Sequence, residues 1–408
     1  MTLSGKLKNK RLVAVIGLTL AITVLVTGCS SKTNTTSTPT TTASKTTTQT
    51  STNTQSPTST QSTSTPITNT TSTTKTTSTA AAVPLNGAGG TFIAPLATKW
   101  FDVYYNLTGV KINYQAVGSG AGINQITAGT VDFGESDGIM TDAQVKAAEA
   151  AHGPILHIPM TIGPVAIIYN ITGVTSTTQL KLDGATLANI YLKKIKKWND
   201  PAITALNPGV TLPDASIAVV HRSDSSGTTY IFTNYLSKVS TDWASQVGNA
   251  TSVTWPGDLG GQGSAGVAGQ VQQTTNSIGY VELAYALQNN IGFAQLKNSS
   301  GNFITPTLES ASQAATGLTI PDDTKIMITN SPNPQAYSIV GFTWMLVYVQ
   351  QKDLTKGTEL VNMLWWAIHD GQQYNAALNY PTLPAAAVTR AEAQIWLITY
   401  NGKPILNK

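Results

Sequence analysis

Residues 30–82 form a tract composed almost entirely of Ser and Thr, and this tract limits which part of the chain can fold. It holds no Asp or Glu and almost no large apolar side chain. Such a segment cannot bury enough apolar surface to offset the chain entropy lost on folding. The composition therefore predicts a flexible tether with a root-mean-square span of about 40 Å. Residues 83–408 remain, which are enough for one large or two medium domains.

The first 28 residues have the pattern of a bacterial lipoprotein signal. A cationic stretch that ends at Arg11 precedes an apolar run over residues 12–26, which is shorter than the roughly 20 residues of a membrane-spanning helix. The run leads into Val26-Thr27-Gly28-Cys29, which resembles a lipobox. We therefore predict a signal peptide over residues 1–28 and a disordered tether over residues 29–82. Lipidated Cys29, the only cysteine, would anchor the protein to a membrane outside the cytoplasm.

Basic residues are concentrated before the part that can fold. Residues 1–82 carry seven Lys or Arg and no acid, so the net charge of +4 for the whole chain leaves −3 for residues 83–408. A domain with this charge has no polycationic face for nucleic acid. Four histidines and a single cysteine offer no transition-metal cluster, and we expect no cofactor.

Residues 83–408 alternate between strand and helix patterns. Short apolar or alternating runs indicate strands at Lys111–Val117, Val165–Tyr169, Ile217–Val220 and Ile278–Val281. Helices are predicted to begin at Thr91, near Ser119, at Thr228 and at about Thr358. The alternation of the two patterns predicts the α/β class.

Three of the predicted helices open with small residues directly after a strand-like segment. These openings are Gly87–Thr91, Gly118–Gly122 and Ser225–Thr228. The N-terminus of a helix exposes unpaired backbone N–H groups and the positive end of the helix dipole, and glycine lets a ligand approach the main chain closely. Together with Arg222 and Asp137, three such openings predict a site for an anion that has lost its water.

Motifs for nucleotide binding and for hydrolysis match this sequence less well than an anion site does. Residues 261–266 match Gly-x-Gly-x-x-Gly, yet they follow no predicted strand and lack a suitable acid downstream, which argues against a dinucleotide site. The chain has no Gly-x-x-x-x-Gly-Lys-Ser/Thr loop for nucleoside triphosphates. His221, Asp224 and Ser226 lie within six residues, whereas the members of a hydrolase triad normally come from separate segments.

Four segments resemble the phosphate-binding proteins of bacterial phosphate ABC transporters, which are periplasmic solute-binding proteins. They are residues 85–103 (LNGAGGTFIAPLATKWFDV), 117–138 (VGSGAGINQITAGTVDFGESDG), 191–235 and 278–285 (IGYVELAY). The resemblance implies a binding protein and not an enzyme. Such a protein would capture inorganic phosphate outside the cytoplasm, act as a monomer, and deliver phosphate to the transmembrane subunits of an ABC importer.

The same resemblance implies an α/β, two-lobed periplasmic-binding-protein fold. The chain is expected to cross twice between the lobes and to hold the ligand in the central cleft. The first lobe would comprise residues 83–164 and 338–408, and the second residues 165–337. Closure would bring ligand contacts from both lobes against the bound anion.

Carried over position by position, the resemblance also assigns the contacts to phosphate. The first loop falls on Gly90, Thr91 and Phe92, the second on Ser119, the cleft aspartate on Asp137, and the arginine loop on Arg222, Ser226, Gly227 and Thr228. Asp224 is expected to hold Arg222 in place.

Four positions depart from the family pattern. His221, Ser225, Gly120 and Glu135 stand where arginine, glycine, serine and a small apolar residue are expected. None of these changes removes a principal donor. Glu135 adds negative charge near the cleft, so it bears on affinity more than on the class of ligand.

Asp137 is expected to select the ligand. A carboxylate only accepts hydrogen bonds, so it pairs with the proton that phosphate still carries, whereas fully ionised sulfate would meet it lone pair to lone pair. Sites of this kind reject the wrong ligand by roughly 10⁴-fold or more. Three other interpretations stay open: binding of sulfate or molybdate, an extracellular phosphatase or hydrolase that uses Ser226 as nucleophile, and an adhesin or phosphate sensor on the tether.

The lipobox generates the first testable prediction. In the native host, Cys29→Ser should abolish labelling with a palmitate analogue and release the protein into the medium or periplasm, because no other thiol can take up the lipid. Gly28→Ala keeps a small residue before the cysteine and serves as the control, which should stay labelled. Continued labelling of Cys29→Ser would contradict the predicted anchor.

Overall fold

The computed structural model describes residues 83–175, 177–257 and 259–406. The predicted signal peptide, the lipidation site Cys29 and the Ser/Thr tether lie outside the described residues. The described strands are β1 Leu85–Gly89, β2 Ile112–Ala116, β3 Phe133–Ser136, β4 Ile155–Asn170, β5 Lys181–Leu182, β6 Ala218–Arg222, β7 Leu259–Gly261, β8 Ser277–Glu282, β9 Gly292–Phe293, β10 Gln295–Lys297, β11 Phe303–Ile304, β12 Val340–Tyr348, β13 Gln350–Gln351, β14 Thr399–Tyr400 and β15 Lys403–Pro404.

Helices connect and cover these strands. The α-helices are α1 Ala94–Thr108, α2 Ser119–Thr127, α3 Asp142–His152, α4 Gly184–Tyr191, α5 Pro201–Thr204, α6 Gly227–Val239, α7 Thr241–Gln246, α8 Gly263–Gln273, α9 Leu283–Gln288, α10 Leu308–Ala314, α11 Leu354–Ile368 and α12 Ala385–Ile395. Two 3₁₀ turns follow α11 at Asp370–Tyr374 and Ala376–Leu378. Within the described ranges, no helix combines the length and apolar character needed to cross a bilayer.

The main sheet consists of two parallel groups joined by antiparallel strands. Its order is β2-β1-β3-β12-β4-β8-β6-β7, and β9 also pairs with β4. Strand β1 runs parallel to β2 and β3, and β6 runs parallel to β7 and β8. Strands β12 and β4 run antiparallel between the groups. Turns after the carboxyl ends of β1, β2, β6 and β7 lead to helices α1, α2, α6 and α8, which is where open α/β sheets bind ligands.

Strand β4 belongs to both halves of this sheet. Its residues 155–164 pair with β12, and residues 165–170 pair with β8. Every residue except Asn170 is buried, as in a strand covered on both faces. The sequence pattern predicted only residues 165–169, because Pro159 and Pro164 interrupt the earlier part. Proline cannot donate to the ladder, and the register of the β4–β12 pairing shifts beside Pro159.

The predicted lobe boundaries stay a proposal, with one segment at odds with them. The crossing from β4 into the second half of the sheet falls between Pro164 and Val165, as proposed. Residues 320–324, however, bond to elements that the proposal places in the first lobe. From α12, Arg390 Nε donates to the Ile320 carbonyl at 3.1 Å and Gln394 Nε2 to the Asp322 carbonyl at 2.7 Å. From β12, Trp344 Nε1 donates to the Thr324 carbonyl at 3.2 Å. We therefore propose that this segment belongs with the first lobe.

Two predicted helix starts are shifted. Helix α1 begins at Ala94 and has Pro95 in its first turn, where proline fits best, so Thr91 lies in the preceding loop. Helix α11 begins at Leu354, earlier than the predicted Thr358, because the Asp353 side chain caps it by accepting from Lys356 N. The other two starts agree with the structure to within a residue, since α2 begins at Ser119 and α6 at Gly227.

A buried histidine in β4 generates a prediction about acid stability. Burial lowers the pKa of His157 to about 3, and its Nε2 lies 3.4 Å from Met140 N. In the unfolded chain this imidazole takes up a proton near pH 6.5, whereas in the folded chain it does so only near pH 3. The free energy of unfolding therefore falls as the pH drops from about 6.5 towards 3, by up to roughly 1.4 kcal/mol per pH unit. In urea unfolding at several pH values, His157→Gln should lose less stability over this range than wild type. Parallel pH profiles would contradict the prediction.

Candidate anion-binding site

The turns after β1, β2, β6 and β7 meet and hydrogen-bond to one another. The Gly227 N–H, at the start of α6, donates to Ser119 Oγ at 3.0 Å, at the start of α2. The Ser264 N–H, at the start of α8, donates to Thr91 Oγ1 at 3.0 Å. Gly120 N–H donates to the Ser225 carbonyl, also at 3.0 Å. Three of these turns had been predicted, and the structure brings all three together with a fourth.

Several backbone donors of these turns have no protein partner. Within the described part of the chain, no acceptor is found for the N–H groups of Thr91, Phe92, Ser119 and Thr228. Unpaired N–H groups are expected at helix N-termini, and burying them without a partner is costly. Thr228 and Ser119 are fully buried, so these donors are set to bind a ligand instead of bulk water.

Two tyrosines, the half-buried Tyr285 and the fully buried Tyr380, hold the first loop. Tyr285 OH donates to the Thr91 carbonyl and Tyr380 OH to the Phe92 carbonyl, both at 2.6 Å. The carbonyl groups of Thr91 and Phe92 are therefore hydrogen-bonded to these tyrosines, while the N–H groups of the same two residues stay unpaired. Tyr285 comes from the IGYVELAY segment and Tyr380 from the C-terminal part of the chain, so distant segments fix the loop.

Asp137 is a buried carboxyl with one unused oxygen. Only 1% of the residue is exposed, and its Oδ2 accepts from Ser119 Oγ at 3.3 Å. Its Oδ1 is buried without a hydrogen-bond partner among the described residues. Burial raises the Asp137 pKa to about 6, against the opposing effect of nearby donors. At neutral pH the group is therefore an ionised acceptor that still lacks a donor.

Arg222 is oriented by Asp224. Arg222 Nε and Nη2 donate to the two carboxylate oxygens at 2.7 and 2.5 Å, in a bidentate fork. Burial alone would raise the Asp224 pKa, but the hydrogen bonds and charge of Arg222 lower it. The remaining nitrogen, Nη1, lies 3.3 Å from Thr228 Oγ1. The predicted supporting role of Asp224 thus has a direct geometric basis.

Ser226 and Gly90 have partners that bear on their predicted roles. Ser226 Oγ caps α6 by accepting from Thr229 N at 3.1 Å, which leaves its O–H proton to donate. The Gly90 N–H donates to Glu135 Oε2. We therefore no longer count Gly90 as a donor to the ligand, because its only backbone N–H is already used.

The sequence pattern missed Ser264. This residue is fully buried, its Oγ lies 3.0 Å from Thr91 Oγ1, and Arg222 Nη1 lies 3.5 Å away. The neighbouring Gly263 N–H donates to Asp224 Oδ1 at 3.0 Å. The Gly-x-Gly-x-x-Gly match at residues 261–266 does follow a strand, contrary to the prediction. Strand β7 has only three residues, too few to show a period in the sequence.

A cavity of about 320 Å³ lies beside these turns. It is lined by Thr91, Ala116, Val117, Asp224, Gln262, Gly263, Ala265 and Tyr285. Within the described ranges, no group of His, Cys, Asp or Glu side chains is arranged to hold a metal ion. These turns offer hydrogen bonding by neutral donors, the Arg222 guanidinium, and the carboxyl groups of Asp137 and Asp224.

Comparison with known proteins agrees with this geometry. The family model described as the PBP superfamily domain matches residues 60–361. The phosphate-binding protein PstS of Xylella fastidiosa (strain 9a5c) is 43% identical over 314 residues, which are 76% of this chain and 85% of that protein. The chain belongs to the phosphate-binding protein family of the PBP superfamily.

Relatives from other lineages give the same result. The phosphate-binding protein PstS of Pasteurella multocida is 42% identical, over 77% of this chain and 90% of that protein. The PstS protein of Methanocaldococcus jannaschii is 35% identical, over 74% of this chain and 83% of that protein. The predicted family is therefore confirmed.

Solved structures with a similar fold agree with the architecture. A DING protein has a TM-score of 0.63 and 20% identity, over 78% of this chain and 99% of that chain. The periplasmic phosphate-binding protein PfluDING, bound with phosphate, has a TM-score of 0.61 and 20% identity, over 76% of this chain and 93% of that chain. The predicted α/β, two-lobed periplasmic-binding-protein fold is confirmed.

Two departures from the family pattern compensate for each other. Gly120 and Ser225 stand where the pattern has serine and glycine, and the structure places them against each other. A Cβ built on Gly120 would overlap both the Oγ and the Cβ of Ser225. The Ser225 side chain instead fills this space and bonds to Thr251 Oγ1 at 2.9 Å. The exchange keeps one side chain between the α2 and α6 turns.

This exchange generates a prediction about ligand affinity. Gly120→Ser should weaken phosphate binding, because overpacking at a close contact costs roughly 1–3 kcal/mol and would push the α2 and α6 turns apart. The double variant Gly120→Ser/Ser225→Gly should recover most of the loss, since the space is then filled from the other side. Ser225→Gly alone is the control and should have the smaller effect. Calorimetric dissociation constants that show no recovery in the double variant would contradict the proposed compensation.

Proposed function

We propose that this chain captures inorganic phosphate outside the cytoplasm and delivers it to the transmembrane subunits of an ABC importer. The observation that carries the proposal is the buried, unpartnered Oδ1 of Asp137 among turns whose N–H groups also lack partners. A protonated phosphate supplies both the donor that Asp137 lacks and the acceptors that the N–H groups lack. Its hydroxyl donates to Asp137, and its ionised oxygens accept from the N–H groups and from Arg222.

The balance of charge favours a protonated oxyanion. Arg222 contributes one positive charge, and much of it is neutralised by the bidentate pair with Asp224. Most of the stabilisation must therefore come from neutral donors, which satisfy an anion without a large net charge. Sulfate and molybdate have no proton to give to Asp137 at neutral pH, so we rank these alternative ligands lower.

We also propose that the protein is not a hydrolase. Ser226 Oγ accepts the N–H of Thr229 as a helix cap, and within the described ranges no histidine or carboxylate bonds to it. His221 Nδ1 lies 3.0 Å from the Arg222 carbonyl and its ring stacks on Trp255, so the nearest histidine in sequence is otherwise engaged. A nucleophilic serine needs a general base within hydrogen-bond reach.

The remaining parts of the proposal concern position and motion. We propose that lipidated Cys29 and the Ser/Thr tether hold the domain at a membrane surface, and that the domain acts as a monomer. Binding would close the two lobes, bringing Thr91, Ser119 and Asp137 of one against Ser226, Gly227 and Thr228 of the other. An adhesin or sensor on the same tether would bind phosphate equally well and would differ only in its partner.

Asp137→Asn tests the basis of selectivity. The change keeps the volume but turns one acceptor oxygen into an NH₂ donor, which can face a fully ionised oxygen without repulsion. Phosphate should lose little affinity and sulfate should gain. The phosphate-to-sulfate selectivity should therefore fall by about tenfold to a hundredfold, which corresponds to roughly 1–3 kcal/mol for an unsatisfied buried group. Dissociation constants for both anions, measured by calorimetry well above the Asp137 pKa of about 6, provide the check.

Arg222→Ala is the matched comparison. It should weaken every tetrahedral anion alike, because it removes the one guanidinium of the site and leaves Asp224 without its partner. An unchanged selectivity in Asp137→Asn would show that Asp137 does not contact the ligand. Release of phosphate from a phosphomonoester by wild type, lost in Ser226→Ala, would instead establish the hydrolase alternative.

A further inference from the structure

Glu135 is a buried carboxyl that the family pattern replaces by a small apolar residue. It lies in β3, is fully buried, and stands two residues before Asp137. Its Oε2 accepts from the Gly90 N–H and from Tyr114 OH, the latter at 3.0 Å, and its Oε1 bonds to Thr343 Oγ1. A buried acid without a cationic partner requires an explanation, because an isolated buried charge is very costly.

The Glu135 and Asp137 carboxyl groups lie against the same point of the first loop. A Cβ built on Gly90 would lie 2.5 Å from Glu135 Oε2 and 3.0 Å from Asp137 Oδ2. The two carboxyl groups therefore approach each other at this point. One carboxyl must carry a proton for such a contact to be favourable, because two adjacent carboxylates in a buried site repel each other.

Among residues 83–175, 177–257 and 259–406, the groups that face this pair include no cation besides Arg222. Titratable and charged groups that face the pair are Tyr114 from β2, Arg222 from β6, Asp224 after β6, Glu282 at the end of β8, Tyr285 from α9 and Tyr380 before α12. Arg222 is already paired with Asp224. Burial raises the pKa of Glu282 well above its usual range, which favours the neutral form of this acid.

The proton is better placed on Glu135 than on Asp137. Burial and the neighbouring Asp137 raise the pKa of Glu135 well above its usual range. Burial raises the pKa of Asp137 only to about 6, because hydrogen bonds from Glu135 and other donors and the charge of Arg222 oppose the shift. Asp137 is also the member that has a second, unused oxygen for a ligand.

We propose that Glu135 is a positioning residue that carries a proton and donates it in a hydrogen bond to Asp137. Asp137 then remains an ionised acceptor for the phosphate hydroxyl at neutral pH and becomes a hydrogen-bond donor to the anion only in acid. Glu135 thus sets the lower pH limit of the preference for phosphate over fully ionised oxyanions. The inference rests on the proposed function, since it concerns the same anion site.

Sulfate is the probe for this role, because its charge does not change in the relevant pH range. The dissociation constant of sulfate is measured by calorimetry at fixed ionic strength from pH 8 to pH 5, with inorganic phosphate measured alongside. In wild type, sulfate binding should strengthen as the pH falls through about 6, where Asp137 becomes protonated. No strengthening in wild type would overturn the proposal.

Two substitutions separate a proton donor from a mere acceptor. Glu135→Gln keeps an NH₂ donor for Asp137, so the sulfate transition should stay within about half a pH unit of wild type. Glu135→Ala removes the donor, so Asp137 is protonated more easily and the transition should move upward by roughly one pH unit or more. If Glu135 were ionised, both variants would remove a repelling charge and move the transition downward. A downward shift therefore overturns the proposal.

An infrared measurement covers the case in which Glu135→Ala does not fold. At pH 7, the spectrum of wild type minus that of Glu135→Gln should contain the C=O band of a protonated carboxyl. Carboxylate bands in its place would show that Glu135 is ionised and would overturn the proposal. The proposed function is judged separately: absence of phosphate binding by wild type at pH 8 would refute that function, whereas phosphate binding with a downward shift would refute only the role of Glu135.

Discussion

The hydrogen-bonding demand of a desolvated tetrahedral anion explains why four turns meet in this fold. Nearly every oxygen lone pair of such an anion needs a donor, and helix N-termini provide donors without adding net charge. The two parallel groups of the sheet direct four strand ends towards one place, and the antiparallel strands β4 and β12 hold the groups together. The unpaired N–H groups at Thr91, Phe92, Ser119 and Thr228 follow from this arrangement.

Acceptors at the same place limit which anion is stable there. Three buried carboxyl groups, Glu135, Asp137 and Glu282, lie near a single guanidinium that is already paired. Burial favours the neutral form of each acid, so protonation reduces the negative charge that additional cations would otherwise have to balance. On the proposed assignment, such a site would discriminate through the positions of protons more than through total charge, because net charge alone cannot distinguish one oxyanion from another.

Close approach of main chains is the second requirement of the site. Gly227 would place a Cβ 2.6 Å from both Asp137 Cβ and Ser119 Oγ, so only glycine fits where α6 meets α2. The same crowding links Gly120 to Ser225, whose side chain occupies the space that serine at 120 would need. A side chain at one of these two positions excludes a side chain at the other, which accounts for a family pattern that is altered at both positions while the contact is kept.

The sequence by itself determined the class of fold and the family, and its resemblance to that family led to the proposed contacts at Ser119, Asp137, Arg222 and Thr228. The family followed because its motifs occur in order, and the proposed contacts followed because three small-residue helix starts occur together with an arginine and a carboxylate. Tertiary structure alone decided the rest. It places Ser264 beside Thr91 through a three-residue strand, pairs the Gly90 N–H with Glu135, and bonds residues 320–324 to α12 and β12. Each depends on a contact between residues far apart in sequence, which no local pattern encodes.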